Sequence, residues 1–519
     1  MKKFKYIIGL GVVILLTTLT TVSCTDGNDW DVDSSYDRLF SVLGSSISLS
    51  ADVNTAELKW TKTPGTEYYI IEVSQDTLYN DVAMGSNGSM VYGEDKTITS
   101  SPFVITGLED NTKYFLRVKA MSSAKPESEW SYPSENKSFN TKAEQIFYAL
   151  GDEDLEETRV TLRWPKGEMA TTIVVNPGSI THPVTSTEVS NGTVTIEGLV
   201  SETKYTAVLM NGSKVRGTLT FVTPLDLGDA IQVFPTDNLS ELIANANDND
   251  VFALMPGEYA VSKLSIIKNI SIKAAKSLNK PVLKTIISME AGVSLELKDV
   301  ILDGAGIGKD GVNGDQAIQF NTAGVDYGDI SIVGCEIKNY LKGLLYLNVA
   351  AVANSVTIDN CILSNIECNG GDFFDCRAGT PKTVTFTNNT VYKSVGARDL
   401  FRIDDKSSAF AGVAPTVLIS NNTLVGVSNI STYRLLYIRW KNNSVTLTNN
   451  IITNTVGALK HNSTNLTSSD RNNYFDASTM SGADTGNKTT FDPEFKNAAN
   501  GDFTVGNSSV RVGDPRWIQ

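Results

Sequence analysis

Short runs of alternating apolar and polar residues, broken by turn-forming stretches, fill positions 41–141. Ala56-Glu57-Leu58-Lys59-Trp60 alternates strictly, and Tyr68-Tyr69-Ile70-Ile71-Glu72-Val73 makes a second run. Alternation with period two buries one face of a strand, so these runs predict an antiparallel sandwich. Ile105-Thr106-Gly107-Leu108-Glu109-Asp110-Asn111-Thr112-Lys113-Tyr114 then leads into a strand over Phe115–Ala120. The pattern returns at Val160-Thr161-Leu162-Arg163-Trp164 and at Ile196–Tyr205. The string G-L-x-x-x-T-K-Y occurs at Gly107–Tyr114 and again at Gly198–Tyr205, so 41–141 and 142–224 read as an internal repeat.

The pattern changes after Pro224. Asp237–Asn247 places Leu239, Leu242, Ile243 and Ala246 on one helical face. Val251–Tyr259 is an apolar strand that runs into a Pro-Gly turn, and strands then recur every 20 to 35 residues or so. Four of them align on a V-T-φ-x-N-N core (φ apolar): Val356–Asn360, Val384–Asn389, Val417–Asn422 and Val445–Asn450. Their Asn positions 360, 389, 422 and 450 are 29, 33 and 28 apart. Asn at the corner of each turn tolerates left-handed backbone and can pass hydrogen bonds to the next strand, ~4.8 Å away. Asp299 and Cys335 take that place in earlier turns. The expectation for 225–519 is a solenoid of stacked strands with a helical N-terminal cap, and the whole chain is expected to be all-β.

Composition excludes several functions. With 44 basic and 58 acidic residues among 519, the formal charge of −14 argues against a nucleic-acid partner. Two histidines leave little room for His-rich metal sites, and the five cysteines contain no C-x-x-C pair. Cys361, Cys368 and Cys376 are expected as small core residues; a disulfide stays open in an oxidising compartment, with no pairing assigned.

Lys2, Lys3 and Lys5 precede an apolar run from Ile7 to Leu19. That run is too short for a ~30 Å bilayer core and fits a signal peptide over 1–23. Thr21-Val22-Ser23-Cys24 resembles a bacterial lipobox, which implies lipidation at Cys24. The acidic tether 24–40, with Asp26, Asp29, Asp31, Asp33 and Asp37, resembles the signal that sends Bacteroidetes lipoproteins to the surface. The resemblance implies an outer-membrane protein, lipid-anchored and facing the cell exterior.

The early-strand Trp60 and the Leu…Tyr pair of each repeat resemble fibronectin type III modules. Trp130 and Tyr132 are read as edge packing rather than sugar platforms. Residues 225–519 resemble right-handed parallel β-helices of the pectate-lyase-like superfamily. Their tail, Phe491-Asp492-Pro493-Glu494-Phe495 to Gly513-Asp514-Pro515, is similar to the terminal cap of that group. The layout as a whole resembles Bacteroidetes surface lipoproteins in which fibronectin-like modules carry a β-helix of unassigned function.

A second strand recurs in each turn of the solenoid. Its rows start at Ala317, Leu344, Phe373, Leu400, Leu435 and Ala458. The second and fourth residues of each row are nearly all apolar and are expected inside. The third column then faces out as Gln319, Tyr346, Asp375, Arg402, Tyr437 and Lys460, and the fifth as Asn321, Asn348, Arg377, Asp404, Arg439 and Asn462. Tyr346 and Tyr437 can stack on sugar rings while Arg377, Arg402, Arg439 and Lys460 hold carboxylates or sulfates, with Asp375 and Asp404 between them. This reading makes the protein a monomeric glycan-binding lipoprotein with an acidic polysaccharide as partner.

Two other readings use the same residues or none. The resembled lyases abstract a proton beside a uronate carboxylate, so Arg402, Arg439 or Lys460 could act as base, with calcium on Asp375, Asp404 and Asp405. The polygalacturonase pattern is incomplete, because Asp404-Asp405 has no Gly-His-Gly and the histidines are His182 and His461, the latter placed on an inward column. The Asp-His and Arg-x-Pro-x-x-Arg combination of the first pectate lyases is missing as well. Alternatively the charges form only an ion-pair ladder, and the chain is an adhesin or structural surface protein.

Overall fold

The computed structural model describes residues 37–131 and 137–518. The signal segment 1–23, Cys24, most of the tether 24–40 and Tyr132 lie outside these. The described chain is all-β apart from a few short helices. It divides into two compact units. Of the described residues, one holds those up to 147 with 169–173 and 208–218; the other holds 148–168, 174–207 and those from 219 onward.

The first module is two antiparallel sheets. Ser48–Ala51, Thr55–Lys59 and Phe103–Thr106 make one; Met90–Tyr92, Tyr68–Ser74, Lys113–Met121 and Lys137–Asn140 make the other. Trp60 meets Tyr69 edge to face at 5.0 Å in the core between them. The repeated string has a common structural purpose. The Tyr114 hydroxyl accepts the Glu109 amide at 2.8 Å, and the Tyr205 hydroxyl accepts the Val200 amide at 2.9 Å. Each tyrosine thereby satisfies a backbone donor in the turn ahead of its own strand. The second module repeats the plan with a three-stranded and a four-stranded sheet. Trp130 is buried, and the Arg117 guanidinium lies 4.2 Å from its ring, so it packs as an edge residue.

From Ile231 to Thr489 the strands pair in parallel, and Phe495–Asn497 and Asp502–Val505 then form a short antiparallel pair. Ten of the parallel strands, from Ile231–Val233 to Leu466–Asp470, form one sheet. A fifteen-stranded sheet gathers the other parallel strands, two for each of the later turns. One turn runs Val352–Asp359, Ile362–Ile366, Phe374–Cys376; the next runs Thr380–Thr387, Thr390–Tyr392, Phe401–Ile403. Ile358, Phe386, Ile419 and Leu447 follow one another into the interior, and a single buried cluster runs from Val233 to Met480. The helix covers Leu239–Ala244 with Asn238 as its cap, shorter than the apolar face suggested. Leu239 and Ile243 close the start of this core.

The corner of each turn differs from expectation in one respect. The two Asn of N-N have separate tasks. The first takes the left-handed backbone, as at Asn360, Asn388, Asn421 and Asn449, where φ is 55° to 57°; Asp299 and Gly334 do the same earlier. The second carries the buried ladder: each side-chain oxygen accepts the amide of the equivalent residue one turn earlier. The links run from Cys361 to Asn389 (2.9 Å), Asn389 to Asn422 (2.9 Å), Asn422 to Asn450 (3.0 Å) and Asn450 to Asn472 (3.0 Å). Asn360 therefore leaves the ladder, Asn472 joins it, and Cys361 stands in register with Asn389. Cys335, Cys361, Cys368 and Cys376 are free thiols buried in the core.

Candidate functional site

Register decides which side chains meet on the outer column. Gln319, Tyr346, Asp375, Arg402 and Tyr437 are neighbours on successive parallel strands, as the row pattern predicts. Just past the strand ends, the Arg377, Asp404 and Arg439 amides bond to the preceding turn at 3.0, 2.9 and 2.8 Å, which aligns the second outward column. The last row slips by one residue. Lys460 pairs with Leu436 rather than Tyr437, and its Nζ reaches the Thr464 carbonyl at 3.3 Å. His461 takes the place beside Tyr437 instead, its ring 4.8 Å away and edge-on. The strand ends at Lys460, so alternation no longer holds His461 inward and it is half-buried. Burial first, then the charges of Arg434, Arg439 and Lys460, hold its imidazole below the usual value.

The charges form layers. Arg377 Nε donates to both Asp375 oxygens at 2.8 and 3.0 Å, and its Nη2 to Asp372 at 3.2 Å. Arg402 Nη1 reaches the same Asp372 oxygen at 3.2 Å, while its Nε and Nη2 grip Asp404 at 3.1 Å each. Arg439 Nη2 lies 3.0 Å from Asp404. The carboxylates sit underneath: Asp375, Asp372 and Asp404 side chains are 0%, 1% and 14% exposed, against 33%, 23% and 36% for Arg377, Arg402 and Arg439. Asp375, expected to face solvent, is therefore covered by Arg377 and by the chain around Asp372.

Protonation follows this layering. Burial raises Asp375, outweighing Arg377. Burial would raise Asp404 too, yet hydrogen bonds from Arg402 and Arg439 leave it below the usual carboxylate range. Burial pulls Arg402 down, but Asp404 and then Asp372 reverse that and the guanidinium ends well above its ordinary value.

Tyr437 is the centre of the outer layer. The guanidinium carbons of Arg434, Arg439 and Arg402 lie 5.0, 5.0 and 5.3 Å from its ring centroid. Tyr346 is half-buried, in register between Gln319 and Asp375. The three aspartates considered for calcium do not converge. Asp375 and Asp404 face guanidinium groups, and Asp405 caps Ser407 through its amide (3.0 Å) and hydroxyl (2.6 Å). The described residues contain no group of three or more His, Cys, Asp or Glu that could hold a metal ion, so these side chains do not fit calcium.

Three residues of the site escaped the sequence reading. Asp372 anchors two arginines. Its other oxygen accepts the Asp399 amide at 3.2 Å, and Asp399 in turn accepts the Arg434 amide at 2.7 Å. This is a second ladder, made by carboxylates. Burial, with the Asp372 charge adding to it, pushes the Asp399 carboxyl up to about 6 against the hydrogen bond from Arg434. The signal was in the rows: Asp372-Phe-Phe, Asp399-Leu-Phe and Arg434-Leu-Leu each place one polar residue before two inward-packed ones.

Two family models match the parallel-strand half, each described as a domain of unknown function: DUF4957 over residues 257–394 and DUF5123 over 417–517. No curated protein matches the chain. Among solved structures, it is similar to a two-domain fibronectin type III segment of chicken tenascin at 14% identity. That alignment covers 34% of this chain and 95% of the segment, with a TM-score of 0.20. It is also similar to the FN1–FN3 domains of chicken CNTN1 at 14% identity, over 36% of this chain and 65% of that one, with a TM-score of 0.16.

Proposed function

We propose that this is a surface-anchored lipoprotein of a Bacteroidetes glycan-utilisation system, lipidated at Cys24. In this reading its right-handed parallel β-helix holds an acidic polysaccharide on the face around Tyr437. Three guanidinium groups ringed about one half-exposed tyrosine, with their carboxylate partners buried below, carry the reading. A uronate or sulfated sugar needs a cation for its charged group and a flat surface for its ring, and this face offers both. Arg439 makes a single ion pair, through Nη2; its Nε is buried, so Nη1 is the group left for a ligand. The net charge of −14 repels polyanions at long range, but at 0.1 M salt that field is screened beyond about 10 Å. Binding on this face is therefore local and salt-sensitive.

Lyase chemistry on the same face is less well supported. A base must be neutral to take a proton, and the carboxylates around Arg402 hold it charged. Native electrophoresis of the mature chain through gels cast with polygalacturonate or a glycosaminoglycan, with and without calcium, tests the proposal. Retarded protein over intact polymer stain is the expected result. A cleared zone would replace binding by cleavage. Unretarded migration in every gel would leave an ion-pair ladder on a structural surface protein.

A further inference from the structure

A larger recess lies elsewhere in the compact unit that holds the parallel strands, with a volume of about 1060 Å³. That is just above the roughly 300–1,000 Å³ typical of small-molecule sites. Its lining comes from the left-handed corner of successive turns, from the loop at Ser277, Leu278 and Lys280, from the C-terminal segment and from the last two strands of the second module. These parts are fastened together. Glu202 accepts from Lys298 at 2.7 Å and from Lys273 at 3.2 Å. Arg516 Nη2 donates to the Asn360 side chain at 2.7 Å, and the buried Asp514 accepts the Thr390 hydroxyl at 2.7 Å.

The charge around this recess balances. Its ionisable lining residues are Lys204, Lys280 and Arg516 against Asp299, Asp359 and Asp514, three of each sign. An anionic or cationic ligand would gain at one side what it lost at the other. Donors and acceptors, by contrast, are available in alternation. Asp359 uses one oxygen for Thr387 (2.6 Å) and Asn388 (2.8 Å), and the other has no partner among the described residues. The same holds for the Asn388 oxygen, the Asn360 amide nitrogen and the Lys204 ammonium among the described residues. A hydroxyl both donates and accepts, so a ligand rich in hydroxyls can use every one of these groups.

We propose that this recess is a second carbohydrate site, taking a short neutral oligosaccharide, separate from the Tyr437 face. The test is calorimetric titration of the mature chain with cello-, manno-, xylo- and malto-oligosaccharides. The variants Lys204→Ala and Asp359→Ala are titrated alongside, their melting temperatures checked against wild type. The expected result is saturable binding of at least one sugar, weakened tenfold or more in both variants and unchanged in Arg439→Gln. If none of the four series binds, or if binding survives both substitutions, the proposal is overturned. If Arg439→Gln abolishes it, the sugar sits on the Tyr437 face and the recess has no such task. Because the two faces share no residue, either proposal can fail while the other stands.

Discussion

Arg117 and Arg402 are both arginines on strands, each held by acidic side chains, yet their surroundings differ in kind. Arg117 is buried in the first module against Glu72, with Nε and Nη2 at 2.7 and 2.6 Å. Its Nη1 and Nη2 also hold the Tyr79 and Val82 carbonyls at 2.7 and 2.9 Å, and Trp130 covers its face. Glu72 spends its other oxygen on the Gly85 amide at 2.8 Å and the Ser89 hydroxyl at 2.6 Å. That pair is closed: it fixes the chain between Tyr79 and Ser89 and offers nothing outward. On the Tyr437 face the carboxylates are buried and the guanidinium groups lie above them, partly open. The closed pair has a structural task only, whereas the layered one presents a cationic surface of defined shape.

The largest effect should come from opening the closed pair. Arg117→Met strands a buried Glu72 charge, and removing one partner of such a pair costs about 3–5 kcal/mol. Chemical denaturation should show that loss, while polysaccharide retardation below the variant's melting point stays as in wild type. Next is the amide ladder. Asn422→Ala leaves the buried Asn389 amide without its acceptor and removes the side-chain bond to the Phe386 carbonyl, a loss of about 1–3 kcal/mol by the same measurement.

Asp399 sharpens the comparison through pH. Its folded-state value of about 6 lies above the ordinary 3.8, so the native chain holds this proton more tightly than the unfolded chain does. The resulting stabilisation is full below about pH 4 and is lost as pH rises through 6. Asp399→Asn keeps an acceptor for the Arg434 amide and cannot titrate. Relative to that variant, wild type should lose on the order of 2–3 kcal/mol between pH 4 and 7. Denaturation midpoints across that range check it; parallel curves would contradict it. The smallest effect belongs to Lys460→Ala, whose ammonium reaches only the Thr464 carbonyl. Stability should move by less than about 0.5 kcal/mol and retardation should be unchanged.

Much of this architecture was legible in the sequence. Period-two alternation and the shared G-L-x-x-x-T-K-Y string mark both sandwiches, because buried strands and a tyrosine-held turn need those residues. The V-T-φ-x-N-N core marks the stacked turns, and apolar pairs such as Phe373-Phe374 and Leu400-Phe401 fix five of six rows in register. Adjacent Asn residues were the harder case: nothing local says which takes the left-handed backbone and which the ladder, and Arg471-Asn472 hides the motif because arginine stands in the first place. The sixth row slipped because the strand stops at Lys460. Asp372 and Asp399 went unread because they precede their strands, and only stacked turns bring them under the arginines.

The account rests on the guanidinium layer around Tyr437 being open to a polyanion. Retardation of the mature wild-type chain and of Arg439→Gln through polygalacturonate gels, at low and at raised salt, tests that directly. Wild type should be retarded, less so as salt rises, and Arg439→Gln should migrate as in a gel without polymer while keeping its melting temperature to within a few degrees. Equal retardation of the two proteins would contradict the account.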